Sequence, residues 1–185
     1  MSLAVVYSRA SLGTSAPLVT VEVHLSNGLP SFSIVGLAET AVKESRDRVR
    51  SALKNSGFDF PTRRITVGLA PADLPKRGGR FDLPIALGIL VAAGQLSLAA
   101  LQDIEFLAEL GLGGELRPVD TILSAAVAAT TMGHAIALAP DDVVEASRVR
   151  TARLLPAVNL SALVDHLAGV KPLNCCLLYT SDAAD

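Results

Sequence analysis

A single-domain α/β (α+β) fold, a mixed sheet with packed helices, is what this sequence predicts, and three observations carry the prediction. Val19, Val21, Val23 and Leu25 alternate with Thr20, Glu22 and His24, the period of a half-buried strand. Over residues 39–56 the spacing becomes helical, with Val42, Val49, Ala52 and Leu53 on one stripe. Over residues 82–93 nearly every side chain is apolar, the mark of a helix buried on all sides.

The remaining elements follow in chain order. Residues 3–9 and 18–25 read as strands, the turn residues of "SNGLP" interrupt, and a third strand covers 31–35. Short links between the three predict an antiparallel start. Gly57 closes the helix that follows, and Glu44 with Arg48 forms an i,i+4 pair in the favourable order. Lys43, Arg46, Arg50 and Lys54 share the exposed side of that helix, either as a solvated surface or as a binding face. A strand over 64–69 leads through a loop to the apolar helix. Residues 106–112 and 116–119 read as a hairpin around Gly113-Gly114, followed by an Ala-rich helix over 121–132 and a strand over 135–138. Asp141 and Asp142 open another helix, 153–155 is a last strand, and Asn159 caps a final helix to Leu167. Strand order does not follow from pattern alone.

Bulk properties bound the function classes. The chain has 185 residues, 50% hydrophobic and 18% charged, with 4% aromatics and no Trp, so a core must be built from Ala, Val, Leu and Ile. No apolar run approaches the roughly 18 residues of a membrane span, and the start lacks signal-peptide character. The expected location is cytoplasmic, away from membrane. Net charge is −2, yet the stretch 43–82 holds ten Lys/Arg against five Asp/Glu. A basic middle in an acidic chain points to an anionic partner. Cys175 and Cys176 are adjacent, unsuited to pairing with each other, and no His/Cys cluster implies a metal. "CLLYTSDAAD", residues 176–185, back-translates into a sequence resembling a sequencing adapter. It is expected to be an artefactual, disordered tail, with the natural protein continuing past about Asn174.

The loop "PKRGGRFDLP" is the most informative segment. Walker-type nucleotide binding needs G-x-x-x-x-G-K-[ST]; here Gly78 and Gly79 are adjacent and lead into Arg80-Phe81-Asp82, with no Gly-Lys-Ser or Gly-Lys-Thr in the chain. An Asp at a helix start also repels phosphate. No G-x-S-x-G or H-E-x-x-H motif occurs, and His24, His134 and His166 read as surface or capping residues. Catalytic residues are therefore assigned to none. Asp82 fits as N-cap with Pro84 in the first turn, and Gly78 and Gly79 permit unusual backbone angles. Lys76, Arg77 and Arg80 are left over, and such cations suit contact with nucleic-acid phosphates or with a neighbouring subunit.

Three stretches, "VEVHLSNGLPSFSIVGLAETAVKESRDRVRSALKNSGFDFP", "RRITVGLAPADLPKRGGRFDLPIALGIL" and "EFLAELGLGGELRPV", resemble the N-terminal domain of the YifB/ComM family of magnesium-chelatase-like AAA+ ATPases. The resemblance covers about residues 3–173 and implies a fold like the Lon proteolytic domain over 1–173. It also implies a following AAA+ motor that binds ATP and Mg, hexameric assembly, and ATP-dependent branch migration on single-stranded or branched DNA during recombination in natural transformation. Alignment with Lon proteases places their nucleophilic Ser on Arg80 and their Lys on about Leu123, which leaves Ser-Lys peptidase chemistry nothing to run on. The "GELRPV" run is also similar to the Lon-like domain of the recombination protein RadA. One departure is local: after Arg117-Pro118-Val119 the resemblance calls for a Gly-containing segment, where this chain has Asp120-Thr121. DNA contact by Lys76, Arg77, Arg80, Arg46, Arg50 and Lys54, with Gly78 and Gly79 easing approach, is the leading expectation. A protein-interaction or oligomerisation module without DNA binding is the second, an active peptidase the third.

Overall fold

A computed structural model describes residues 2–36 and 39–174. The segment 176–185 and both cysteines lie outside the described residues. Strands β1 (Ser2–Arg9), β2 (Leu18–Ser26), β3 (Ser31–Val35), β4 (Arg64–Ala70) and β5 (Ile104–Leu107) join two later ones in a seven-stranded mixed sheet. The hairpin strands are β6 (Glu109–Leu110) and β7 (Leu116–Arg117); β8 (Ala135–Leu138) and β9 (Leu154–Pro156) complete the set. The large sheet runs β3-β4-β2-β1-β5-β8-β9.

The antiparallel start holds only for β1 with β2. Strand β4 comes between β2 and β3, antiparallel to the first and parallel to the second, so β3 ends up at the sheet edge. The predicted hairpin also divides. Residues 104–107 enter the large sheet between β1 and β8, both parallel, and only Glu109–Leu110 pairs with Leu116–Arg117. The single helix expected over 39–56 is two, α1 (Thr40–Lys43) and α2 (Ser45–Asn55), with a turn at Glu44.

Helix α3 (Asp82–Ala92) is the centre of the fold. Residues 82–90 are all buried, as its uniform apolar pattern requires. It lies on β1 and β2 so closely that a Cβ on Gly88 would run into Val23. Glycine costs about 1 kcal/mol in a helix interior, and here it is what permits the contact. The other α-helices among the described residues are α4 (Ile122–Thr131), α5 (Val143–Ala146) and α6 (Leu160–Leu167). The two faces of β8 separate the core into two clusters. Ala135 and Ala137 join the cluster around α3, whereas Ile136 and Leu138 join Ala125, Ala126 and Ala129 of α4. The face of β1–β4 away from α3 stays open, with Leu3, Tyr7, Glu22 and His24 exposed. Asn159 caps α6 as expected, its Oδ1 accepting from the Ala162 N–H at 2.8 Å.

Candidate functional site

The site is framed by two aspartates that open helices without capping them. Asp82 is the first residue of α3, but its carboxylate turns back to accept from Arg48 Nε (2.7 Å) and Nη2 (3.2 Å) and from the Leu110 N–H (3.1 Å). The expected N-cap is therefore replaced by a buried tertiary ion pair, which satisfies more of the carboxylate than a cap would. Arg48 is drawn to Asp82 rather than to Glu44, and the carboxylate beside it pushes the guanidinium further into its charged form. Burial pushes the Asp82 carboxyl above its usual range, opposed by the bonds from Arg48, Ser45 and Leu110. Asp142, just ahead of α5, shares the backbone part of that arrangement by accepting the remote Val119 N–H at 3.2 Å. Together these aspartates hold both ends of the segment from β6 to Val119.

The loop cations separate. Lys76 is fully buried, its Nζ donating to the carbonyls of Gly36 (2.8 Å) and Pro71, while its own carbonyl accepts from the Glu39 N–H. It fastens the loop to the end of β3 instead of presenting charge to a partner, and burial lowers its pKa. Gly36 is required beneath it: φ is +112°, and a Cβ there would meet the Leu69 carbonyl. Arg77 is the outward-facing cation, 70% exposed and 3.2 Å from the Glu39 carboxylate. Arg80 is buried, its Nη2 donating to the Asp120 carbonyl (2.8 Å) and Thr121 Oγ1 (3.3 Å). Desolvation lowers its pKa, with Asp120 and Asp142 acting in the opposite sense.

These contacts build a cleft of about 360 Å³ between the Gly78-Gly79 turn and residues 118–121, with Arg77, Arg80 and Glu109 in its walls. Thr121 sits at φ 56°, in the left-handed region that a β-branched residue rarely enters. It lies in the Asp120-Thr121 stretch, where the resemblance calls for a Gly-containing segment, and Arg80 clasps the strained turn. Leu123, aligned with the Lon lysine, lines a different surface groove.

On α2, Arg46, Arg50 and Lys54 form an exposed i,i+4 row. Arg46 also bonds the Lys43 and Phe32 carbonyls, and Arg50 lies 5.2 Å from the Phe60 ring centroid. The structure thus leaves Arg77 and the α2 row at the surface and takes Lys76 and Arg80 into the fold. The roles of Arg48 and Asp142 are not legible in the sequence, since their partners are remote along the chain. Among the described residues no group of three His, Cys, Asp or Glu side chains could hold a metal ion. His134 lies 3.0 Å from Glu105, and His166 Nδ1 accepts the Leu173 N–H. No helix among the described residues is long and apolar enough to cross a membrane.

Comparison with known proteins adds the following. Residues 21–143 match the family model described as subunit ChlI of Mg-chelatase. The chain is 54% identical over 173 residues to competence protein ComM of Haemophilus influenzae, covering 94% of this chain and 34% of that protein. It is 49% identical over 169 residues to the uncharacterized protein YifB of Escherichia coli, covering 91% and 33%. An uncharacterized Mycobacterium tuberculosis protein is 39% identical over 150 residues, covering 80% and 30%. The chain spans about a third of the length of these curated relatives.

Proposed function

Because the chain belongs to the family of subunit ChlI of Mg-chelatase, we propose that it is the non-catalytic, Lon-like domain of an AAA+ ATPase of the ComM and YifB kind. In this reading it contributes DNA contact and ring assembly to a hexameric, cytoplasmic, ATP-dependent branch-migration motor. ATP and Mg belong to the AAA+ part, because this chain carries no Walker sequence. Similarity to a competence protein over 94% of this chain supports a role in recombination during natural transformation.

The observation that carries DNA contact is the α2 row, in which Arg46, Arg50 and Lys54 stand exposed one turn apart. At a rise of about 1.5 Å per residue the row lays three cations along about 12 Å, close to the spacing of a few backbone phosphates. Such contact needs charge and reach rather than a base code. Fluorescence anisotropy with single-stranded and branched DNA tests it. Affinity should fall with salt, and the triple Ala variant of the row should bind less tightly with a flatter salt dependence. Salt-independent binding, or none, would defeat the DNA reading.

The alternative is a docking module for a neighbouring subunit, and the sheet edge favours it. Strand β3 is paired on one side by β4, and Leu29 just ahead of it and Val35 at its end are exposed. On that reading a Lys in place of Val35 weakens assembly and leaves DNA affinity unchanged.

A further inference from the structure

We propose that the cleft between the Gly78-Gly79 turn and residues 118–121 is a binding site for one phosphate group, with the Arg80 guanidinium as its central donor. The proposal stands apart from the DNA reading, since it concerns an interior arginine and not the surface row.

Arg80 carries a charge that the fold does not settle. Arg80 is 5% exposed, and among the described residues it forms no ion pair. Its Nη2 is satisfied by a carbonyl and a hydroxyl, both neutral, and its Nη1 is buried without a hydrogen-bond partner. An arginine does not deprotonate to escape this, and a buried donor left unpaired costs roughly 1–3 kcal/mol, more when charged. A ligand that accepts from Nη1 would remove that cost. Arg80 lines the cleft while Nη1 is itself covered, so a small rotation of the guanidinium would bring the unused donor to an oxyanion there in a charge-assisted bond.

The surroundings suit phosphate. Gly78 adopts φ +70°, and the space where its side chain would stand is open, which lets a ligand come close to the backbone. Arg77 adds an exposed cation at the rim. The obstacle seen in the sequence, an aspartate at the start of α3, is withdrawn: Asp82 is bonded to Arg48 and does not line the cleft. Two opposing groups remain. Glu109 is shared with Arg117 at 3.8 Å, and Asp120 holds its backbone carbonyl to Arg80. These carboxylates limit the site to a single phosphate group and disfavour a run of them. Thr121 in its strained conformation completes the wall, held there by the same arginine.

The test is a titration of the isotopically labelled chain with inorganic phosphate at constant ionic strength, read by nuclear magnetic resonance. Saturable shifts at the Gly78, Gly79 and Arg80 amides, absent with chloride, are expected. Arg80→Met should weaken the binding by about tenfold or more, the worth of one hydrogen bond to a charged group. Ser11→Trp narrows the cleft from another wall and leaves Arg80 with its partners. It should produce a similar loss, and it decides the matter if Arg80→Met does not fold. Shifts that never saturate, or affinities unchanged in the variants that fold, would overturn the proposal. Displacement of phosphate by an unphosphorylated oligonucleotide would identify a backbone phosphate as the source. Displacement by a nucleoside monophosphate alone would identify a free one. Saturable phosphate binding in a chain that binds no DNA would uphold this site while defeating the DNA reading.

Discussion

Arg9 and Glu105 meet in two parallel hydrogen bonds, Nε to Oε2 and Nη2 to Oε1, both 2.7 Å, where β1 and β5 are joined in parallel through the single pair Tyr7 and Glu105. The pair is buried, Arg9 Nη1 also holds the Ala16 carbonyl, and His134 lies 3.0 Å from Glu105. It clamps the open half of the sheet to the half covered by α4. Glu105→Ala leaves the guanidinium buried and unpaired, and should destabilise the chain by about 3–5 kcal/mol in urea unfolding.

Lys76 predicts a loss of stability, not of binding. Lys76→Met keeps the bulk of the stem but leaves the Gly36 and Pro71 carbonyls without their donor. Thermal or urea unfolding should register about 1–3 kcal/mol of destabilisation. DNA affinity of the folded variant should not change.

Gly88 predicts the cost of separating α3 from the sheet. A methyl group there would strike Val23, with Val6 next to it, all within the core. Gly88→Ala gains helix propensity but overpacks the contact, so a net destabilisation of about 1–3 kcal/mol is expected from denaturant unfolding.

Asp142 sets a pH dependence with a definite sign. Burial raises its pKa from 3.8 to about 6, helped by Glu145 and Asp141, against the Val119 N–H and Arg80. A carboxyl raised in the fold favours the protonated form. Its contribution is complete below the unfolded value and is lost as pH rises from about 4 through about 6. Asp142→Asn keeps an acceptor for Val119 and has nothing to titrate. The variant should therefore gain on the parent as pH rises through that window, by about 1–2 kcal/mol after solvent screening. Unfolding midpoints at pH 4.5 and 7.5, values chosen on either side of about 6, provide the check.

Local pattern carried most of the fold. The alternation around Val21 and the uniform apolar run after Asp82 were enough to locate their strand and helix, because burial imposes those periods directly. Pairing was less legible. Nothing in 31–35 says that β3 should join β4, because the choice rests on the later strand Arg64–Ala70. The loop cations were the larger difference. Sequence alone treats Lys and Arg as surface residues, and Lys76 and Arg80 depart from that because backbone carbonyls from distant segments receive them. Asp82 fitted the rule for a helix cap, but Arg48, thirty-four positions away, offered a stronger partner. Thr121 carries a partial signal: it takes a left-handed conformation within the stretch where the family resemblance calls for a Gly-containing segment.

The most direct test of the central claim compares two sets of cations in one DNA-binding assay. The Arg46, Arg50 and Lys54 triple Ala variant removes surface charge, and Lys76→Met removes one buried charge. The triple variant should flatten the plot of log affinity against log salt by about 2–3 on duplex arms, at about 0.9 per phosphate contact. Lys76→Met should follow the parent. If the triple variant keeps the parent slope while Lys76→Met loses it, the surface of α2 is not the DNA contact and the claim fails.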